Sequence, residues 1–138
     1  MDEKIYDVLR DDPRYPLEAY EFVCDTVAYT QEMLGRAPQE EDDPETDYHV
    51  TGGELVRGAC EFAVQEFGLM APMVFKMWNI RRTDDVGNIV FNLIRAEQLS
   101  QSDRDDPNDF RDLFDIQKAL ADGFQMTTAR PSKKKGTR

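Results

Sequence analysis

Histidine and tryptophan each occur once in 138 residues, and cysteine only twice. A single histidine, His49, cannot build a histidine-rich metal site. Cys24 and Cys60 stand far apart, fitting neither a disulfide framework nor the paired spacing of a zinc set. Both lie among apolar residues at helical spacing, so they read as free, buried thiols. Long hydrophobic runs are missing as well. The longest, Leu69-Met70-Ala71-Pro72-Met73-Val74-Phe75, falls far short of the roughly 20 residues that span a bilayer. Met1-Asp2-Glu3-Lys4 is charged where a secretory signal would be apolar. Neither an internal repeat nor the Gly-x-Lys-Ser/Thr of a phosphate loop occurs. These absences lead to the expectation of a cytoplasmic protein with reduced thiols, no membrane contact, and neither cofactor nor metal.

Positive charge is scarce over most of the chain. Lysine and arginine number 17 against 28 aspartates and glutamates, a formal net of −11. Five of those cations, Arg130, Lys133, Lys134, Lys135 and Arg138, fall in residues 125–138, which hold no acid. Positions 1–124 therefore carry 12 basic and 28 acidic residues, a net of −16. A body so acidic repels nucleic-acid phosphates, whose binding rests on Lys and Arg. Its field favours basic partners. The tail has the opposite character and suits any polyanion.

The length fits one domain. Hydrophobic periodicity organises residues 1–124 as a single, acidic, mostly helical domain, with 125–138 as a disordered basic tail. A short helix over Ile5 to Leu9 ends before Asp11-Asp12-Pro13. Pro16 opens a longer one whose Tyr20, Val23, Cys24, Val27 and Leu34 share a face, and Gly35 closes it. Residues 36–47, with two prolines and no large apolar side chain, read as a mobile acidic loop. Thr51-Gly52-Gly53-Glu54 matches a capping box opening a helix to Phe67, which Gly68 ends. Met70 to Trp78 is apolar almost all round and is expected to be a buried helix. Asn79 suits a left-handed helix end. Thr83, with Asp84 and Asp85 behind it, starts a helix whose buried stripe is Val86, Ile89, Val90, Leu93 and Ile94. Leu99-Ser100-Gln101 and Phe110-Arg111-Asp112-Leu113-Phe114 then read as two short strands of a C-terminal β-hairpin. A last helix covers Ile116 to Ala121. The fold class is thus mainly α, and the element order over about 51–115 resembles a winged helix-turn-helix unit.

Charge argues against that shape reading DNA. Reading base edges needs Arg, Lys, Asn or Gln on the recognition helix and basic residues on the backbone. The positions expected to be exposed from Thr83 to Gln98 are Asp84, Asp85, Asn88, Asn92, Arg95, Glu97 and Gln98, and the wing carries Asp103, Arg104, Asp105, Asp106 and Asp109. Both would face phosphate with the wrong sign. A calcium loop fails too. With Asp103 at position 1, Pro107, Asn108 and Phe114 occupy the places that need an oxygen ligand, Gly and Glu. Carboxylate pairs such as Glu61 with Glu66 are routine on helix surfaces. What remains is a candidate surface of His49, Thr51 and Glu54 at one helix start, and a candidate polyanion-binding tail of Arg130, Lys133, Lys134, Lys135 and Arg138.

Several segments together carry a family resemblance. They are Asp12-Pro13-Arg14-Tyr15, Ala19-Tyr20-Glu21-Phe22-Val23, His49-Val50-Thr51-Gly52, Phe67-Gly68-Leu69-Met70-Ala71, Trp78-Asn79-Ile80, Thr83 through Phe91, and Asp109-Phe110-Arg111-Asp112. Over about 4–116 the chain resembles a family of planctomycete and verrucomicrobial proteins without an assigned activity. Gly is usual in that family where this chain has Asn79, and Pro where it has Leu69. Asn tolerates the left-handed backbone, so the helix end survives the first change. The resemblance implies a whole-length domain and no particular chemistry. The function expected from the sequence is non-catalytic: an interaction or regulatory protein whose acidic body contacts a basic surface. The alternatives are a nucleic-acid-associated protein that binds weakly through its tail, and an enzyme with an unfamiliar site near His49.

Overall fold

The computed structural model describes residues 3–36, 49–99 and 106–123. Over these the chain is mainly helical: α1 Glu3–Asp11, α2 Leu17–Met33, α3 Gly52–Phe67, α4 Ala71–Met77, α5 Thr83–Arg95 and α6 Ile116–Ala121. Short 3-10 turns lie at Gly68–Met70 and Pro107–Phe110. Of the acidic loop 36–47 only Arg36 is described; the rest of it and the basic tail 125–138 fall outside the described residues. No helix among the described residues is long and apolar enough to cross a membrane.

Helix boundaries follow local chemistry. Pro13 disfavours the helical conformation at Asp12, and α1 stops one residue earlier. Gly35 (φ 70°) and Asn79 (φ 63°) take the left-handed backbone expected of them after α2 and α4. Thr51 caps α3 as a full capping box with Glu54. The start of α5 differs from expectation. Arg82, not Thr83, is the N-cap, and the Asp85 carboxylate reaches back to the Arg81 and Arg82 N–H groups at 2.8 and 3.0 Å. Thr83 is thereby released for another task. Its buried hydroxyl donates to the Phe110 carbonyl at 2.7 Å and accepts from Leu113 N–H at 3.0 Å.

That task explains why the expected second strand of the hairpin is not a strand. Phe110 ends a 3-10 turn that Asp106 caps through Asn108 N–H, and 111–114 is irregular. Three main-chain groups of this segment are taken up by Thr83, which bonds the Phe110 carbonyl and Leu113 N–H, and by Asp84, which accepts from Asp112 N–H at 2.9 Å. No β-ladder partner is needed. Of the first strand only Leu99 is described, in a bend. The described residues are mainly helical and do not support the winged-helix arrangement.

One hydrophobic cluster binds the elements together. The most extensive interface is α2 on α3; α5 packs against α2 and the Pro107–Phe110 turn, and α6 against α3 and α4. Tyr20 and Val23 of α2, Val56 and Ala63 of α3, Phe75 of α4, Ile89 and Leu93 of α5, and Ile116 of α6 are all essentially inaccessible. Phe22 lies among Phe62, Phe67, Phe75 and Trp78, with ring centroids 5.2 to 5.9 Å away.

One expectation about α4 fails. Only Ala71 and Phe75 of that helix are buried, while Met73 and Met77 are exposed.

The α2–α3 contact is closest where Gly58 meets Thr30. A β-carbon at Gly58 would stand 2.0 Å from Thr30 Oγ1, a buried oxygen with no hydrogen-bond partner among the described residues. Alanine is the better helix former by about 1 kcal/mol, but overpacking of this kind typically costs about 1–3 kcal/mol. Gly58→Ala should therefore destabilise the protein by up to about 2 kcal/mol in urea titration. Adding Thr30→Ala, which removes the clashing hydroxyl, should recover part of that loss.

Candidate functional site

Thr51 and Glu54 meet at the N-terminus of α3, and an unforeseen residue, Arg36, links the His49 main-chain carbonyl to them. Thr51 N–H donates to Glu54 Oε1 at 2.9 Å, and Glu54 N–H donates to Thr51 Oγ1 at 3.2 Å. The Arg36 Nη1 group, from just beyond α2, donates to Glu54 Oε1 at 2.7 Å and to the His49 carbonyl at 3.1 Å. Burial pushes the Glu54 carboxyl up, but Arg36 and the Thr51 hydrogen bonds outweigh it and hold the group below its ordinary value. Arg36 begins the acidic segment and His49 follows it, so this cluster joins the chain on either side of residues 37–48 to the start of α3. Thr51 and Glu54 are committed to that cluster. The candidate tail residues Arg130, Lys133, Lys134, Lys135 and Arg138 lie outside the described residues.

A second polar cluster joins the α1–α2 turn to α5. Arg14 grips the Asp12 carboxylate with two hydrogen bonds, at 2.8 and 2.7 Å, and its guanidinium lies 5.2 Å from the Tyr15 ring centroid. The Tyr15 hydroxyl donates to Asp85 Oδ1 at 2.6 Å and accepts from Asn88 Nδ2 at 3.0 Å. Asn92 Nδ2 donates to Asp12 Oδ2 at 2.9 Å and to the Tyr20 hydroxyl at 3.0 Å. From the turn after α4, Asn79 Nδ2 donates to the Arg14 carbonyl at 3.2 Å. Asn92, expected on an exposed recognition face, is buried here, and Asp84 and Asp85 are only half-exposed. The available signal was Asn88 and Asn92, polar residues four apart beside the apolar stripe, with an Asp-x-Arg turn upstream.

Between α5 and the Pro107–Phe110 turn lies a cleft of roughly 180 Å³, lined by Asp84, Gly87, Asn88, Phe91, Pro107 and Arg111. It offers one carboxylate, one guanidinium, one amide and two apolar rings. Its volume is below the roughly 300 Å³ where small-molecule sites usually begin. His49 does not line it.

The titrating groups with resolved shifts move away from neutrality. Burial, then the hydrogen bond to Asp85, raises the Tyr15 phenol, and burial raises Tyr20. Burial pushes Cys60 up to about 12, and burial with Asp25 and Glu21 pushes Cys24 up to about 11. Cys60 is buried and Cys24 half-buried, both as free thiols. A nucleophilic cysteine needs the opposite shift, and a general base needs a value near working pH. Among the described residues no group of three His, Cys, Asp or Glu side chains is placed to hold a metal.

The chain matches no family model, no curated protein and no solved structure.

The Asp12–Arg14 pair has a pH signature. Arg14's hydrogen bonds, opposed by burial and helped by Asn92, hold the Asp12 carboxyl well below its ordinary 3.8. A depressed carboxylate contributes stability above its unfolded value, and that contribution fades as pH falls through the folded one. Asp12→Asn should therefore lower the urea midpoint at pH 7. It should have a smaller effect near pH 2, where the unfolded carboxyl is already protonated, as the rule that stability is lost below the unfolded value requires.

Proposed function

We propose that the protein is a non-catalytic interaction or regulatory protein, cytoplasmic, whose acidic body contacts a basic surface. The observation that carries this reading is the outer face of α2. Glu18, Glu21, Asp25 and Glu32 are all exposed there, and the helix holds no basic residue. At 100° per residue the four fall within about 60° of one another. None is paired with a cation among the described residues. Acids elsewhere are often neutralised: Asp7 by Arg10, Asp12 by Arg14, Glu54 by Arg36 and Asp84 by Arg82. An uncompensated ridge on a body of net charge −16 attracts cationic surfaces and steers them into encounter. The outward shifts of both tyrosines and both thiols support the non-catalytic part.

Oligolysine serves as the test ligand. Wild-type protein should bind it with an affinity that falls steeply with salt. The variant Glu18→Gln/Glu21→Gln/Asp25→Asn/Glu32→Gln should bind several-fold more weakly at about 50 mM salt, where screening is least. Equal binding by the two proteins would remove α2 as the contact surface.

The basic tail favours a second reading, nucleic-acid association through Arg130, Lys133, Lys134, Lys135 and Arg138, because five cations with no acid lie within residues 125–138. About five phosphate contacts give a log–log salt slope no steeper than about −3.5 on single strands. Anisotropy with labelled RNA should show weak, sequence-blind binding that disappears when 125–138 is deleted. Sequence preference in the truncated protein would sink this reading.

A further inference from the structure

The chain carries its own polycation. Arg130, Lys133, Lys134, Lys135 and Arg138 follow α6, with no acid anywhere in residues 125–138. On α2, Glu18, Glu21, Asp25 and Glu32 form one ridge with no cation partner among the described residues. The two match in length. Glu18 to Glu32 runs about 21 Å along the helix at 1.5 Å per residue. Arg130 to Arg138 spans up to about 29 Å of extended chain. The tail also reaches the ridge. Both α2 and α6 pack against α3, and packed helix axes stand about 8–10 Å apart, which puts α2 within about 20 Å of α6. Gly123 is the last described residue, just past α6. From there the chain extends up to roughly 25 Å to Arg130 and roughly 50 Å to Arg138. Acids nearer the tail are less available. Asp122 pairs with Lys118 at 2.8 Å, and Asp109 and Asp112 share their segment with Arg111.

We infer that residues 130–138 dock on the α2 ridge as a tethered competitor, which a basic partner must displace. The inference rests on the acidic-surface reading and adds the regulation of that surface. Five cations against four carboxylates leave the docked ridge with almost no net charge to offer a second cationic ligand. Exposed ion pairs are individually weak. Tethering compensates, because a segment on the same chain acts at an effective concentration on the order of 1 mM. The contact is salt-sensitive, since exposed charges are screened beyond roughly 10 Å at 0.1 M salt. Low salt therefore holds the tail on the ridge, and a partner gains access in proportion to how far its own binding outweighs the tail's.

The test is a cycle of four full-length proteins, each titrated with labelled oligolysine at about 50 mM salt. They are the wild type, the tail variant Arg130→Gln/Lys133→Gln/Lys134→Gln/Lys135→Gln/Arg138→Gln, the ridge variant Glu18→Gln/Glu21→Gln/Asp25→Asn/Glu32→Gln, and the two combined. With the ridge intact, neutralising the tail should tighten oligolysine binding at least about threefold, the gain for a tethered tail whose own dissociation constant is about 0.5 mM or below. With the ridge neutralised, the same change should bring little or no gain, because sites in contact are non-additive. Equal gains on both backgrounds would assign the effect to net charge and overturn the docking. No gain on the intact ridge would overturn it as well. Amide resonances of the full-length proteins give a second readout. Those of Glu18, Glu21, Asp25 and Glu32 should differ between wild type and tail variant at about 50 mM salt and coincide at about 0.5 M, where screening is strong. Differences confined to other helices would overturn the ridge as the tail's seat. If none of the four proteins binds oligolysine, the acidic-surface reading fails, and the amide resonances alone decide the docking.

Discussion

The corner between α2, α3 and α4 depends on the ring of Phe22. Its four aromatic neighbours come from α3 (Phe62, Phe67), from α4 (Phe75) and from the turn after it (Trp78). Such pairs add about 0.5–1.5 kcal/mol each beyond the area they bury, so the ring contributes to three elements at once. It also limits what else can enter. With Phe75 and Trp78 filling the space over Phe22, α4 presents only a narrow inward stripe, and its remaining apolar residues must lie elsewhere. The outward methionines are thus a consequence of a full core, not of a missing one.

On the opposite side of α2 the constraint is polar. Tyr15 and Tyr20 are buried to their rings, and their hydroxyls need partners in an interior that offers little water. Asp85, Asn88 and Asn92, spaced along one face of α5, supply them. Asp12 accepts from Asn92 and is charge-balanced by Arg14, so the carboxylate enters a half-buried setting with its counterion attached. A fully satisfied network of this kind fixes how the α1–α2 turn seats on α5, because any slip would strand several groups together. The two faces of α2 therefore do different work: rings set position on one, hydrogen bonds set register on the other.

Features that depend on a few neighbouring residues were legible in the sequence. The capping box at Thr51, the left-handed ends at Gly35 and Asn79 and the termini of α3 and α6 each follow from residues within one turn. What escaped required knowledge of distant partners. Thr83 looks like a cap, yet its hydroxyl serves Phe110, twenty-seven positions on. Phe110 to Phe114 has apolar residues at both ends, which fits a strand until Thr83 and Asp84 take up its backbone groups. Met70 to Trp78 is apolar on every side, so periodicity cannot tell which face turns inward. The candidate site divides in the same way. Thr51 and Glu54 were paired by their spacing, whereas Arg36, eighteen residues from Glu54, gave no local sign of joining them.

Charge and apolar exposure, taken together, restrict what this surface can select. An exposed apolar patch on an uncharged protein discriminates poorly, since any hydrophobic partner gains by covering it, and methionine's adaptability weakens shape selection further. Discrimination must then come from the surroundings. A body of net charge −16 supplies it as repulsion of acidic helices and anionic surfaces. The acidic ridge of α2, whose carboxylates have no cation partner among the described residues, adds to that field within roughly the 8–10 Å of a Debye length at physiological salt. Stability is little affected by such exposed charges. Acids without a cation partner among the described residues thus shape the field around the protein more than its stability.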